Sequence, residues 1–348
     1  MTRPLLVVAH EATRTGAPRV LLDLMRFARG RITVPVAVRL EAEGPLSRDL
    51  RDLADTEIDL TAPCAVLVNG SAAAGMFHGV QPGIPTMAYV HEEQAALEVL
   101  PKECIEALVD RCDRVLSVSE RSAATLGELG VDPSRIRVLP PVVPCTRADS
   151  HSRRHPDAAR PGARRGPATR VGMRRSRVAQ GRRPVRRRCP AHPSGCSCAV
   201  RLGRSPAASV ARLLDADTRL CGLSEDLMWL GELEDVGPVL TAAQVLVMTS
   251  REDPQPLVAL EAAAMGTATA GFAVGGIADL QDAGAASAVP YPDTVALARE
   301  VTTLLSHPEQ RGRLACEAEN RRSEQHSIEV LGERFLAELT DLIGSAGR

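Results

Sequence analysis

Apolar positions along this chain follow two periodicities in alternation. Residues 5–9 form a short unbroken apolar run, as expected of a parallel strand buried on both faces, and a polar turn containing Gly16 follows. Val20, Leu21, Leu24 and Phe27 then recur at helical spacing, with Pro18 in the first turn, where its missing N–H is not needed. Further apolar runs at 34–40, 65–68, 86–90 and 114–118 read as strands, with helices at 103–112 and 120–129. Strand and helix in alternation predict a parallel sheet covered by helices on both faces. Four prolines within 131–144 mark a hinge at the end of this first unit. From residue 205 the alternation resumes, with helices at 207–214, 236–243 and 256–265 and strands at 227–230, 244–248 and 268–274. Helices at 294–306, 309–320 and 328–343 close the chain, and no repeat of solenoid length is visible.

The 348 residues suffice for two domains, each burying a core of its own. Apolar residues at 44% and charged residues at 24% are ordinary for a globular chain, and no apolar run approaches the ~20 residues of a membrane span. The apolar stretch near the N-terminus is too short for the core of a secretion signal, so a cytoplasmic location is expected. Nine cysteines, odd in number and irregular in spacing, then read as reduced thiols.

Charge changes the picture in one interval. Of 42 basic residues only Lys102 is lysine, a bias that points to a gene rich in G and C. Sixteen arginines fall in 145–203 against only Asp149 and Asp157, and outside that interval 26 basic residues face 41 acidic ones. Residues 145–201 also contain no Leu, Ile or aromatic side chain. Nothing there offsets the entropy of ordering, and disorder is expected.

Candidate chemistry concentrates in residues 250–280. A strand ends at Met248, a loop bearing Asp253 follows, and a helix starts near Pro256. Amides at a helix start form a natural seat for phosphate. Glu261, on the same helix, is placed to accept hydrogen bonds from sugar or ribose hydroxyls. Taken singly, Asp253 also fits a loop or cap residue, and Glu261 a solvated helix carboxylate.

Taken whole, SREDPQPLVALEAAAMGTATAGFAVGGIADL resembles the signature of family 4 of the retaining glycosyltransferases, in which two acidic residues stand with seven residues between them. Asp253 replaces the usual first Glu, and Pro-Gln-Pro replaces a glycine-rich turn, Pro256 removing one N–H donor. The resemblance implies that Glu261 binds the donor's ribose and Asp253 the hydroxyls of the transferred sugar. It implies further that the backbone of Leu257 and Val258 meets the phosphates, and that Gly275 and Gly276 lie where the chain comes close to the nucleotide. HEATRTGAPRVLLDL, residues 10–24, looks like the family's first loop and helix, where Gly16 lets the backbone approach donor phosphate and acceptor. His91 follows the strand 86–90 where the family often has a histidine touching the sugar, although a lone histidine there is as readily structural. Asn69, Ser71 and Glu92 fall on the acceptor side, and residues 115–120 resemble the last strand-to-helix turn of such domains. The resemblance covers 1–143 and 203–340.

In that family the second domain opens with a strand, a glycine turn and a basic pair ending Lys-Gly, whose charge neutralises the leaving diphosphate. Here Val178, Ala179, Gln180 and Gly181 stand in that place. Their codons written GUG GCG CAA GGG, read one base later, give Trp-Arg-Lys and begin a glycine. The same shift over Cys198 to Arg204 gives Ala-Pro-Phe-Val-Trp-Val and a glycine. The interval therefore reads as the product of compensating frameshifts near Cys145 and Gly203. Rival readings lack their own signatures: an arginine-rich nucleic-acid contact has no aromatic interleaving, and a zinc site at Cys189, His192, Cys196 and Cys198 lacks paired ligand spacing.

The expectation is an α/β chain with two Rossmann-like domains facing across a cleft, the GT-B arrangement. Residues 1–143 form the acceptor domain, 144–203 the anomalous segment, 204–325 the nucleotide-sugar donor domain, and 326–348 a helix returning to the first domain. The implied reaction moves a sugar from a nucleoside-diphosphate sugar to an acceptor hydroxyl with retained configuration, without cofactor or metal. The acceptor, whether glycan, lipid-linked sugar or small molecule, is unnamed by the sequence. No nucleic-acid partner or membrane span is expected, and peripheral membrane contact stays open. Two alternatives remain: a non-catalytic, degenerate nucleotide-sugar-binding protein or pseudogene product, and a nucleotide-sugar epimerase of the same fold.

Overall fold

A computed structural model describes residues 3–55, 63–74, 80–143, 169–172, 199–203, 208–220, 222 and 227–345. The chain divides into two compact units, one of residues 1–144 with 324–348, the other of residues 145–323.

The first unit alternates β1 (Leu5–Ala9), α1 (Gly16–Ala28), β2 (Val36–Leu40), α2 (Ser47–Arg51), β3 (Ala65–Asn69), α3 (Ser71–Ala74), β4 (Thr86–Val90), α4 (Gln94–Leu97), α5 (Lys102–Arg111), β5 (Arg114–Ser117), α6 (Glu120–Glu128) and β6 (Ile136–Val138). Its six strands lie in the order β2-β1-β3-β4-β5-β6. β1 pairs in parallel with β2 and β3, Leu5 lying opposite Val36 on one side and Ala65 on the other. The unbroken apolar runs are explained by burial on both faces: all five residues of β1, β3 and β4 are buried. One face packs Leu6, Val8, Val66, Val68 and Val90 against Leu97, Leu108 and Leu126. Each such side chain contributes about 1.5–3 kcal/mol when fully buried.

Helix α13 (Ile328–Ser345) belongs to this unit. It packs on α1, and the approach is close at Gly332, where a Cβ would stand 2.6 Å from the Phe27 ring. Phe335 and Leu339 are fully buried beneath it. Arg31 lies 4.0 Å over the Phe27 ring and pairs with Glu333 at 2.6 Å, while Arg114 reaches Glu338 and Asp341 at 2.5 and 2.6 Å. The helix is thus fixed along its length by apolar burial, with ion pairs at its margin.

The second unit contains β7 (Thr169–Gly172), β8 (Ala199–Gly203), α7 (Ala208–Leu220), β9 (Leu227–Gly231), α8 (Gly237–Ala242), β10 (Val245–Met248), α9 (Leu257–Ala264), β11 (Ala268–Phe272), α10 (Gly275–Asp282), β12 (Ser287–Val289), α11 (Thr294–Ser306) and α12 (Pro308–Gln325), the last crossing into the first unit at its end. Its strand order is β12-β11-β10-β7-β8-β9. Val245, Ala270 and Phe272 pack against Leu297, Val301 and Leu304 of α11.

Two of these strands lie within residues 144–203, the interval where disorder was expected. β7 is central in its sheet, pairing with β10 through Leu246 opposite Val171 and with β8 through Arg170 opposite Val200. A parallel ladder is made by backbone N–H and C=O groups, so a central strand is held on both sides without a Leu or Ile of its own. The rest of that interval, including Val178 to Gly181 and the cysteines at 189, 196 and 198, lies outside the described residues.

Each sheet reverses direction once. In the first unit the chain goes from β1 to β2 on one side and then to β3 on the other. In the second it runs β7, β8, β9 outward and returns to add β10, β11 and β12 on the opposite edge of β7. In α/β sheets such a reversal, at the carboxyl ends of the strands, is where ligands bind.

Candidate functional site

In the first unit the loops after β1, β3 and β4 carry the residues singled out from sequence. Gly16 is the buried first residue of α1, whose N-cap Thr15 makes no side-chain cap. The Thr15 hydroxyl instead donates to Glu11 at 3.0 Å, as does Thr13, and the two threonine hydroxyls meet at 2.8 Å. This cluster stiffens the loop while leaving the first-turn amides of α1 to other partners. The same loop is braced by the turn at Gly44, where a Cβ would fall 2.4 Å from the Ala12 carbonyl oxygen.

Asn69, at the end of β3, and His91, just past β4, are brought together: His91 Nε2 lies 3.0 Å from Asn69 Oδ1. An amide oxygen only accepts, so this contact places the proton on Nε2. Against His91 lies the ring of Tyr89, 4.2 Å between centroids and tilted by 45°. Tyr89 is fully buried, and burial raises its phenol well above the usual range, keeping it a hydrogen-bond donor. Glu92, expected on the acceptor side, accepts through Oε2 from the backbone N–H groups of His91 at 3.0 Å and Ser71 at 3.2 Å, joining the ends of β3 and β4. Ser71 Oγ is buried without a hydrogen bond.

The second unit assembles the loop 249–256, α9 and the start of α10. Asp253, in the loop, is 3% exposed and Glu261 8% exposed, so Glu261 is not the solvated helix carboxylate of the simplest reading. Pro256 is the N-cap of α9, standing before the helix, so the first-turn amides of Leu257 and Val258 are untouched by its lack of an N–H. Gly275 and Gly276 open α10 directly against the Asp253 loop. Gly276 N–H donates to the Asp253 carbonyl at 3.0 Å, and a Cβ on Gly276 would lie 2.7 Å from Pro256 Cδ. At Gly275 the backbone has φ +49°, and a Cβ would fall 2.0 Å from the same Asp253 carbonyl oxygen. Here glycine is required both by conformation and by the closeness of the neighbouring chain. Ser250 Oγ, in the same loop, is buried without a hydrogen bond.

Sequence reasoning did not single out Glu11, Tyr89 or Ser250. The Glu-x-Thr-x-Thr spacing of residues 11–15 was the one legible signal; the role of Tyr89 depends on residues fifty positions away. Among the described residues no group of three or more His, Cys, Asp and Glu is placed to hold a metal ion. Nor, among them, is any helix long and apolar enough to cross a membrane.

Residues 7–147 match the family model described as Glycosyltransferase Family 4, and residues 200–307 match that described as Glycosyl transferases group 1. Comparison with curated protein sequences gives no match. Among solved structures, the chain resembles Anabaena HepE in complex with UDP-glucose at TM-score 0.76 and 16% identity, over 97% of this chain and 99% of that one. It resembles WaaG, a glycosyltransferase involved in lipopolysaccharide biosynthesis, at TM-score 0.72 and 15% identity, over 97% and 99% of the two chains. Sucrose-phosphate synthase from Thermosynechococcus elongatus is similar at TM-score 0.70 and 15% identity, over 99% of this chain and 100% of that one. With glycosyltransferase models matching two separate stretches of the chain and a parallel-sheet α/β fold shared with these structures, the chain is a glycosyltransferase of GT-B fold.

Proposed function

We propose that this protein transfers a sugar from a nucleoside-diphosphate sugar to an acceptor hydroxyl with retention of anomeric configuration. The observation that carries the reading is the interlock of Asp253, Gly275 and Gly276 beside buried Glu261, at the carboxyl end of the strand where the second sheet reverses. Backbone comes close to a ligand here because no side chain intervenes, and the helix starts at Leu257 and Gly275 present amides suited to phosphate. Glu261 would hold the ribose and Asp253 the sugar hydroxyls. Gly16, at the start of α1, would face phosphate and acceptor, with His91 touching the sugar and Asn69, Ser71 and Glu92 shaping the acceptor side. The buried hydroxyls of Ser71 and Ser250 retain hydrogen-bonding capacity that a polyhydroxy ligand would use. UDP-glucose is the ligand of the HepE complex and is the first donor to test.

Calorimetry of the full chain with UDP and UDP-glucose, followed by nuclear magnetic resonance of the anomeric product, tests this reading. Binding that is lost in Glu261→Ala supports it. Undiminished binding in that variant, or a product of inverted configuration, removes it. We propose also that the arginine-rich interval arises from compensating frameshifts near Cys145 and Gly203, and re-reading the DNA there decides the matter. An interval confirmed in frame would discard the frameshift and leave the donor-site assignment to calorimetry.

A further inference from the structure

Tyr89 connects two features that the fold alone does not require to be connected. Its ring carries His91 at 4.2 Å, and its hydroxyl donates to the carbonyl oxygens of Leu139 at 2.8 Å and Pro140 at 3.3 Å. Residues 139–143 are the stretch on which the chain leaves the first unit. That stretch is pinned further to the point where the chain re-enters the unit: His326 Nδ1 lies 2.9 Å from the Pro141 carbonyl oxygen, and Val143 N–H donates to the His326 carbonyl at 3.0 Å. Both crossings of the chain are therefore tied to one another and, through one phenol, to the ring that supports the candidate site histidine.

Two other arrangements would satisfy the same local chemistry. A phenylalanine at 89 would fill the core and stack on His91 equally well, and leucine or proline carbonyls at a chain exit are ordinarily left to solvent. The hydroxyl is what joins the two. Asn69 constrains His91 from the opposite side, with Nε2 3.0 Å from its Oδ1. The imidazole is thus fixed at its edge by an amide and on its face by an anchored ring. We infer that Tyr89 is a positioning residue, its hydroxyl coupling the orientation of His91 to the crossing segment 139–143. This rests on the reading of His91 as a residue that touches the sugar, but the coupling itself is measured without any ligand.

The experiment uses the full chain with 15N-labelled histidine and compares the parent with Tyr89→Phe, assigning the His91 signal by its loss in His91→Gln. In the parent, His91 shows the nitrogen shifts of a ring held in one form with its proton on Nε2. In Tyr89→Phe those shifts move toward a mixture of tautomers, and amide exchange at Leu139 and Val143 rises roughly three- to tenfold, while β1 amides are unchanged. Faster exchange at 139–143 with an unaltered His91 would reduce Tyr89 to a structural anchor and overturn the inference, as would no change at either place. Should Tyr89→Phe not fold, fluorotyrosine gives a second measurement, since the chain has only two tyrosines. His91→Gln must then move the Tyr89 fluorine signal and speed exchange at Val143, and unchanged exchange there overturns the coupling. If the coupling is found but UDP and UDP-glucose do not bind the parent chain, the functional reading fails and the coupling stands.

Discussion

Two glycines in the second unit share a backbone conformation and differ only in surroundings, so their alanine variants separate strain from contact. Gly266 has φ +68° with nothing within 4 Å of a built Cβ; Gly275 has φ +49° with the Asp253 carbonyl oxygen at 2.0 Å. The left-handed region costs an alanine about 1–2 kcal/mol at either site. At Gly275 the two chains must also separate by about 1 Å to reach the tightest contact real Cβ atoms make. That movement breaks the 3.0 Å bond from Gly276 N–H to Asp253, about 1 kcal/mol, and forces rearrangement of the loop, a further ~1–3 kcal/mol. Gly275→Ala is therefore expected to lose about 3–6 kcal/mol and Gly266→Ala about 1–2 kcal/mol, read as shifts in the denaturant midpoint of the second unit. Calorimetry with UDP adds a second axis. Gly266→Ala should bind as the parent does, whereas Gly275→Ala displaces the Asp253 loop and should weaken UDP binding by roughly tenfold or more, the scale of one lost hydrogen bond. Equal stability of the two variants with equal UDP affinity would refute the claim that this close approach builds the site.

Glu261→Ala should weaken UDP binding by roughly 10- to 100-fold, the range for a hydrogen bond to a charged partner, with Glu261→Gln between it and the parent in calorimetry. Phe335→Ala removes a fully buried ring from under α13 and should destabilise the first unit by about 3–5 kcal/mol in denaturant unfolding; a loss below about 1 kcal/mol would mean the helix is not integral to that unit. Burial pushes the Cys112 thiol up to about 12, so in the folded chain it stays protonated while an unfolded thiol ionises near 9. Its contribution to stability is complete below pH ~9 and lost as pH rises toward 12, and Cys112→Ala should flatten that slope. Peptide mapping after brief alkylation should find Cys316, which is exposed, labelled and Cys104 and Cys112, which are buried, protected.

Elements with a strong period were legible and short or polar ones were not. The run at 86–90 coincides with β4 because every residue is buried, whereas β6 and β12 are three residues each and only partly buried, too short to show any period. α12 extends to Gln325 although only residues 309–320 showed helical pattern, since it buries just Ala315, Ala318 and Arg322. Arg322 is the instructive case: three residues after Glu319, the spacing of an ordinary surface pair, it is nevertheless 4% exposed and bonded to Glu319 at 2.6 and 2.7 Å. Spacing reveals which residues share a helix face but not what covers that face. The site residues divide the same way. Asp253 and Glu261 stood out as candidates because they sit in one contiguous string. Nothing in sequence shows that one oxygen of Glu92 accepts from the amides of His91 and Ser71.

The contact between Asn69 and His91 shows how far the core governs the candidate site. Asn69 lies opposite Tyr89 in the β3–β4 ladder, two residues short of His91. That register places the amide level with the imidazole, and it is set by Val66 and Val68 packing on the same face as Ala88 and Val90. A slip of one residue would turn Asn69 to the opposite face of the sheet, away from the imidazole, so the polar contact is made in one register only. Gly271 does the equivalent in the second unit, where a Cβ would stand 2.9 Å from Met248 Cβ and 3.2 Å from Ile277. Its absence lets β10, β11 and α10 close together, and that closeness brings Gly275 onto the Asp253 carbonyl. In both units the loops of the candidate site are positioned by packing one strand length away, which is why residues of the core decide the geometry of the candidate residues.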